Sequence, residues 1–247
     1  MNLEASRVPA VILAGGFGTR VRHLLPDLPK PMAPVAGKPF LEWVIRFLAA
    51  QGLRQVVLST GYKSELVEEH FREHRINKMQ ISCVAETEPL GTAGGFLNAV
   101  KATGEKPSAW LVVNGDSLVF ADLCTMFEKL ANPACAGVVV GRSVPDTSRF
   151  GSLACDANGR LLQFAEKRSG AGTVNGGIYL LRDSLLAEFP PQSPLSFETE
   201  VFPLLIEQGE WLEVISSNAP FLDIGTPETL PQAEQFVAQN RRYFAMN

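Results

Sequence analysis

Short apolar runs alternate with longer amphipathic segments through the first 142 residues of the chain. The first run, VPAVILA (8–14), is continuously apolar, which is typical of a strand whose two faces are both covered. The alternation predicts an α/β fold with a doubly wound, mostly parallel, Rossmann-like sheet. The predicted strands are 8–14, 55–60, 79–86, 109–116 and 136–142, and the predicted helices between them are 39–52, 64–74, 92–103 and 121–131.

The pattern changes after residue 142, where strands become more frequent than helices. We therefore predict a single domain over 1–247, with a lobe inserted at about 143–225 and a closing helix at 226–245. Thr226 as N-cap and Pro227 at the first helical position mark the start of that closing helix. The other predicted elements are a hairpin over 152–167, a strand over 173–181, a helix over 196–209 and strands over 211–217 and 220–225.

Composition excludes several classes of protein. Of the 247 residues, 46% are hydrophobic and 19% are charged, as in an ordinary globular protein. The net charge is −4 and the pI is near 5.5, whereas a general nucleic-acid binder is expected to carry a basic face. The sequence shows neither an apolar leader segment nor a run of 18 apolar residues. We expect a cytoplasmic protein that binds neither nucleic acid nor membrane; a homo-oligomer stays open.

The segment AGGFGTR (14–20) places three glycines within four residues, directly after the first predicted strand. Glycine-rich turns at such a point bind phosphates through backbone N–H groups. A dinucleotide site needs G-x-G-x-x-G, but Val21 stands at the third glycine position, and no Walker G-x-x-x-x-G-K-[ST] string occurs. Instead, Arg20 and Lys30 follow the turn, and both side chains can bind phosphate oxygens. This combination indicates a nucleotide that is itself a reactant and loses pyrophosphate.

The strings LAGGFGTR (13–20) and LPKPM (28–32) resemble the signature of the sugar-phosphate nucleotidyltransferases, L-A-G-G-x-G-T-R-L…P-K-P. Val21 is a small departure, since the family usually has leucine there. The resemblance implies a glycosyltransferase-A-like fold, with a nucleotide-binding part at about 1–142 and a sugar-phosphate-binding part at about 143–225. It also implies transfer of a nucleoside monophosphate to a sugar 1-phosphate. The other matching strings are EPLGTAGG (88–95), VVNGDS (112–117), AEK (165–167), VNGGIYLL (174–181), FETEVFP (197–203) and FLDIGTPE (221–228).

The resemblance carries functional roles onto these strings residue by residue. It implies that Arg20, Lys30 and Asp116 are catalytic, with the two cations on the departing pyrophosphate. The sugar-phosphate-binding residues that it implies are Glu166, Lys167, Asn175, Gly176 and Glu198, and for Glu198 a place on the helix surface stays open. The nucleotide-binding residues that it implies are Leu13, Ala14, Gly15, Gly16, Gly18, Thr19, Arg20, Glu86, Pro89, Gly91, Thr92, Asn114 and Gly115.

Two aspartates end apolar strands that are far apart in the sequence, Asp116 in NGDS and Asp223 in LDIGTPE. The attacking sugar phosphate and the α-phosphate are both anions, and they repel each other by several kcal/mol, on the order of 332/(εr) at an effective ε near 20. A divalent cation that bridges them removes this repulsion, and Mg²⁺ prefers a few carboxylates and its own waters. Each aspartate alone could also be a turn residue. The resemblance implies that both bind Mg²⁺.

The identity of the two substrates depends on Glu86 and on the wording of the motifs. A carboxylate can accept both N1–H and N2–H of guanine but only the single N3–H of uracil, which favours GTP over UTP. The resemblance favours a heptose 1-phosphate as acceptor, with mannose, glucose and N-acetylmuramate 1-phosphates as alternatives. Two alternatives come from other classes: a catalytically silent protein that senses sugar nucleotides, and a dinucleotide-binding oxidoreductase.

Overall fold

The computed structural model describes residues 4–76, 78–147, 152–165 and 170–245. The helices in these segments are α1 (Phe40–Ala50), α2 (Ser64–Glu73), α3 (Gly91–Thr103), α4 (Leu123–Leu130), α5 (Phe202–Glu207) and α6 (Ala233–Gln239). The strands are β1 (Ala10–Ala14), β2 (Pro34–Val35), β3 (Lys38–Pro39), β4 (Gln55–Thr60), β5 (Gln80–Ala85), β6 (Ala109–Asn114), β7 (Ser117–Val119), β8 (Cys135–Val144), β9 (Ser152–Cys155), β10 (Leu161–Ala165), β11 (Gly172–Arg182), β12 (Trp211–Ser217) and β13 (Phe221–Asp223).

Nine strands of the described segments form one mixed sheet. Its central part is parallel and has the order β5-β4-β1-β6. The long strand β11 then runs antiparallel to β6, β8 and β9, while β12 runs parallel to β8 and β10 antiparallel to β9. The predicted doubly wound, mostly parallel sheet is confirmed, and strands from the second half of the chain extend that same sheet.

Both faces of the sheet are buried, because successive side chains of each central strand enter two different cores. In β1, Ile12 belongs to a buried cluster that includes residues of helices α1, α2, α4 and α6, whereas Val11 belongs to one that includes residues of α3 and α5. Both side chains are fully buried. This arrangement explains why the predicted strands are continuously apolar rather than alternating. None of the helices in the described segments is long and apolar enough to cross a bilayer.

The carboxyl ends of the four parallel strands lie at one edge of the sheet. Each strand passes there into a loop, after Ala14, Thr60, Ala85 and Asn114. Ligands of open α/β sheets bind at this edge, because the loops from neighbouring strands diverge and leave a crevice.

The predicted closing helix over 226–245 is wrong as a single element. A turn from Thr226 leads into a 3-10 turn over Leu230–Gln232, then α6, then a second 3-10 turn over Arg241–Phe244. Pro231 has no N–H to donate to a carbonyl four residues earlier, so a regular helix cannot run through it. Thr226 is therefore not a helix N-cap, and its hydroxyl lies 3.2 Å from the hydroxyl of Thr229.

The predicted helix over 196–209 and the predicted strand over 109–116 also need correction. The helix begins as a π turn over Phe197–Val201, in which the N–H of Val201 donates to the carbonyl of Ser196 at 3.0 Å, and α5 follows. Pro203 provides no N–H there, which disfavours a regular α-helix at this point. The strand ends at Asn114, and residues 117–119 form a separate strand, β7, antiparallel to β13.

Candidate active site

The glycine-rich loop after β1 and the loops after β4 and β6 pack closely at the carboxyl edge of the sheet. A Cβ atom at Gly61 would lie 2.5 Å from the carbonyl oxygen of Gly15, so a side chain there would hold the two loops apart. Gly115 sits equally close, with a Cβ position 2.8 Å from the carbonyl oxygen of Leu13. Small residues at these positions bring the three loops together around one crevice.

That crevice is a cleft of about 510 Å³. It brings together most of the predicted nucleotide-binding residues, whose role stays a prediction. Ala14, Gly18, Thr19, Arg20 and Gly115 do not line it; Ala14 is buried, whereas Thr19 and Arg20 are exposed beside it. The residues that line the cleft are Leu13, Gly15, Gly16, Phe17, Gly61, Tyr62, Glu86, Thr87, Glu88, Pro89, Gly91, Thr92, Asn114 and Asp116.

The carboxylate of Glu86 lines this cleft and lies between two glycines. Its Oε1 would lie only 2.6 Å from a Cβ atom at either Gly15 or Gly95. The hydroxyl of Ser59 donates to Oε1 at 2.8 Å, and the backbone N–H of Leu90 donates to Oε2 at 3.3 Å. Each oxygen has a second lone pair, so the carboxylate is held in place and can still accept hydrogen bonds from a ligand.

Lys30 connects the glycine-rich loop with Asp116. The loop passes over the lysine at Gly18, whose φ is +58° and whose Cβ position would lie 2.9 Å from Lys30 Cβ. The ammonium group of Lys30 forms an ion pair with Oδ2 of Asp116, and both side chains are mostly buried. The predicted catalytic residues Lys30 and Asp116 are therefore in contact. Arg20 is exposed.

Asp116 and Asp223 are brought together by Ser117, which follows Asp116 directly and lies 106 residues before Asp223 in the chain. The antiparallel pairing of β7 with β13 places Asp223 opposite Ser117. The Ser117 hydroxyl lies 3.1 Å from Oδ1 of Asp116 and 3.2 Å from Oδ2 of Asp223. The backbone N–H of Gly225 donates to the remaining oxygen of Asp223 at 2.5 Å. The two predicted metal ligands therefore form one carboxylate pair beside the cleft.

Burial and the nearby negative charge of Asp116 raise the pKa of Asp223 above its ordinary value. Lys30 and the hydrogen bonds from Gly225 and Ser117 offset part of this effect. Two carboxylates held this close are stabilised by any cation that lies between them. The described segments contain no group of three or more histidine, cysteine, aspartate or glutamate side chains that could hold a metal ion alone.

The predicted sugar-side residues Asn175 and Glu198 belong to one hydrogen-bonded network. The register of β11 against β8 shifts between Asn175 and Tyr179. A Cβ atom at Gly177 would lie 2.6 Å from Nδ2 of Asn114 at the end of β6, whereas one at Gly176 would lie 2.9 Å from the carbonyl oxygen of Val140 in β8. Asn175 Nδ2 donates to the hydroxyl of Tyr179 at 2.6 Å, and that hydroxyl donates to Oε1 of Glu198 at 3.1 Å. Glu198 Oε2 accepts from Thr92 at 2.9 Å and from Ser196 at 3.0 Å. Glu198 is thus not a free helix-surface residue.

Two predicted sugar-phosphate-binding residues, Glu166 and Lys167, lie outside the described residues. Conversely, the cleft includes Phe17, Tyr62 and Glu88, which the sequence analysis did not single out. Tyr62 could have been found, because it follows the predicted strand 55–60 at the same edge of the sheet. Glu88 begins a matched string, but nothing in the string indicates that its side chain lines the cleft.

Comparisons with known proteins show what the whole chain is similar to. Residues 9–240 match a family described as nucleotidyl transferase. The D-glycero-alpha-D-manno-heptose 1-phosphate guanylyltransferase of Aneurinibacillus thermoaerophilus is 34% identical over 92% of this chain and 96% of that enzyme. The mannose-1-phosphate guanylyltransferase of Mycobacterium tuberculosis is 36% identical over 92% of this chain and 63% of that enzyme. The structure of HddC from Yersinia pseudotuberculosis complexed with GMP-PN superimposes with a TM-score of 0.81 at 32% identity, covering 92% of this chain and 98% of HddC. The chain belongs to the nucleotidyl transferase family.

Proposed function

We propose that this protein transfers GMP from GTP to D-glycero-alpha-D-manno-heptose 1-phosphate and releases pyrophosphate. The observation that carries the proposal is the carboxylate pair Asp116–Asp223 at a cleft that Glu86 lines. Relatives that match nearly their whole length with this chain are heptose 1-phosphate guanylyltransferases. GTP as the nucleotide is supported by Glu86, whose fixed carboxylate suits the two adjacent N–H donors of guanine.

The residues present fit a divalent cation, and we propose Mg²⁺. Asp116 and Asp223 would hold it, because their oxygens are hard donors and their mutual repulsion favours a cation between them. Two carboxylates leave most of the coordination sphere to water and to substrate phosphates, which is how Mg²⁺ is usually bound. When bound, such an ion would neutralise charge on the reacting phosphates.

In the proposed reaction an oxygen of the sugar 1-phosphate attacks the α-phosphorus of GTP. A new P–O bond forms there, and the bond to the bridging oxygen of the β-phosphate breaks, so that pyrophosphate leaves. The attacking phosphate oxygen is already ionised, so the protein needs no general base. The chain's own contribution is to position the reactants and to stabilise charge, with Arg20 and Lys30 on the departing pyrophosphate. The site would act in the cytoplasm, where GTP is available.

A panel of acceptors tests this proposal. Heptose, mannose, glucose and N-acetylmuramic acid 1-phosphates are each incubated with GTP and with UTP, and released pyrophosphate is measured. We expect the highest kcat/KM for the heptose 1-phosphate with GTP. A higher value for mannose 1-phosphate would favour the second candidate, a mannose-1-phosphate guanylyltransferase, which the 36% identity to the Mycobacterium tuberculosis enzyme supports. No pyrophosphate from any pair would leave the silent sensor as the better explanation.

A further inference from the structure

An exposed aromatic side chain stands at the tip of the glycine-rich loop. Phe17 is 50% exposed and is one of three large hydrophobic residues with high exposure in the described segments, with Leu24 and Leu162. Burial of a phenylalanine is worth about 2 kcal/mol or more, so a ligand that covers this half-exposed ring gains part of that energy. Phe17 lies between Gly16, with no atom within 4 Å of its Cβ position, and Gly18, with a positive φ.

A second ring, Tyr62, faces the same cleft from the loop after β4. Its position is fixed, because the preceding Gly61 packs against the carbonyl of Gly15. The guanidinium of Arg22 lies 4.8 Å from the centre of the Tyr62 ring, and the ammonium of Lys63 lies 5.6 Å from it. Cations at such distances are attracted to an aromatic ring and help to hold it. Tyr62 is therefore a supported ring, in contrast to Phe17.

The centres of the two rings are 6.4 Å apart and their planes are inclined by 45°. This separation is near the outer limit for paired aromatic side chains, so the rings touch only loosely. They are also the only aromatic residues that line the cleft in the described segments. The other lining residues are mostly glycines and polar or acidic side chains, which offer hydrogen bonds but no flat apolar face. A nucleotide presents one such face, its base.

We propose that Phe17 packs on the nucleoside of the bound nucleotide, with Tyr62 as its fixed support. The inference rests on the proposed function only in requiring a nucleotide substrate. Phe17 is thus a binding residue for the base and ribose, while the backbone of the same loop serves the phosphates. Stacking of a base on an aromatic side chain is sequence-tolerant, because every base has a π face. Phe17 would therefore strengthen nucleotide binding without selecting GTP over UTP. That selection remains with the carboxylate of Glu86.

Calorimetric titration of GTP and of inorganic tripolyphosphate tests whether Phe17 binds the nucleoside while the loop backbone binds the phosphates. In Phe17→Ala we expect GTP to bind roughly 5- to 100-fold more weakly, with tripolyphosphate binding unchanged. Phe17→Tyr, which keeps a ring, should bind GTP like the wild type. Phe17→Leu, which has no ring, should bind GTP almost as weakly as Phe17→Ala. Leu24→Ala is the matched control, because it removes another exposed apolar side chain of the same segment that does not line the cleft.

Two results would overturn the inference. Equal weakening of GTP and tripolyphosphate would mean that Phe17 acts through the phosphate-binding loop, and unchanged GTP binding in Phe17→Ala would mean that the ring does not touch the nucleotide. Failure of the proposed function shows separately, as wild-type protein that binds GTP but transfers nothing, or that binds UTP instead. In the second case the wild type and the same four variants are titrated with UTP, and the same two results decide.

Discussion

Ser117 stands directly opposite Asp223 in the small β7–β13 sheet, and its hydroxyl oxygen lies 3.2 Å from Oδ2 of that aspartate. The same hydroxyl lies 3.1 Å from Asp116, its neighbour in the chain. One short antiparallel pairing thus converts two strand ends into a single acidic site.

Asp116 is the member of the aspartate pair that lines the cleft, and its replacement should separate catalysis from folding. We expect Asp116→Asn to fold normally and to lower kcat by roughly 10² or more, the scale of losing a preorganised electrostatic contact. Pyrophosphate release and the thermal unfolding curve are measured on the same preparation. Near-normal turnover in this variant would contradict a role for Asp116 in the reaction.

Asp223 should support turnover but lower the stability of the folded protein. Its carboxylate is largely buried beside Asp116, so its negative charge is unfavourable in the folded protein without a cation. We expect Asp223→Asn to raise Tm by roughly 2–4 °C in chelator, corresponding to about 1 kcal/mol, while turnover falls. An ion that binds only the folded protein stabilises it. Mg²⁺ should therefore raise Tm for the wild type and not for the variant, which lacks one of the two carboxylates. A lower Tm in chelator would contradict the repulsion.

Lys30 already neutralises Asp116, so a divalent cation must compete with its ammonium group. Lys30→Met should raise the affinity for Mn²⁺, measured by electron paramagnetic resonance without nucleotide, by about tenfold or more. Turnover should nevertheless fall, because the departing pyrophosphate loses a cation. Lys63→Met is the matched control, since Lys63 lies against Tyr62 and Asp27 rather than the carboxylate pair. Unchanged or weaker Mn²⁺ binding in Lys30→Met would exclude the competition.

Glu86 and Glu88 both line the cleft, and one of them should read the base. Glu86 is fixed by Ser59 and Leu90, which makes it the better-placed acceptor for guanine. We expect Glu86→Gln to lower the ratio of kcat/KM for GTP over UTP by about 10- to 100-fold, as for loss of a hydrogen bond to a charged group. Glu88→Gln should leave the ratio nearly unchanged. The opposite result would identify Glu88 as the base-reading residue.

The parallel core of the sheet was predictable from local pattern alone, because each strand and helix carries its own apolar periodicity. The positions of Asp116 and Asp223 were also predictable, since both residues end apolar strands and both lie in strings that match the family. The part played by Ser117 was not, because it depends on the register between two strands of three residues each. The same limit applies to Tyr62 and Phe17, whose meeting depends on β4 lying beside β1. The prediction of one closing helix was wrong for a local reason. It relied on the N-cap pattern at Thr226 and did not take Pro231 into account.

A second charged cluster lies away from the cleft and should govern stability at acidic pH. Glu42 of α1, with a side chain only 3% exposed, contacts Lys38 at 3.0 Å, Arg46 at 2.7 Å and His70 of α2 at 3.1 Å. Burial alone would raise the pKa of Glu42, but the hydrogen bonds from Lys38, Arg46 and His70 outweigh it and lower that pKa below its ordinary value of 4.5.

A lowered carboxyl pKa stabilises the folded state at every pH above the ordinary value, and the benefit is lost as the pH falls through the folded-state value. Near neutral pH we expect Glu42→Gln to reduce the free energy of unfolding by about 1–3 kcal/mol, measured by urea denaturation. The difference from the wild type should shrink as the pH is lowered past the ordinary value, because Glu42 then becomes protonated. Glu69→Gln, an exposed change on the neighbouring helix α2, is the matched control and should show neither effect. A difference that stays constant across the acidic range would mean that Glu42 acts through packing rather than charge.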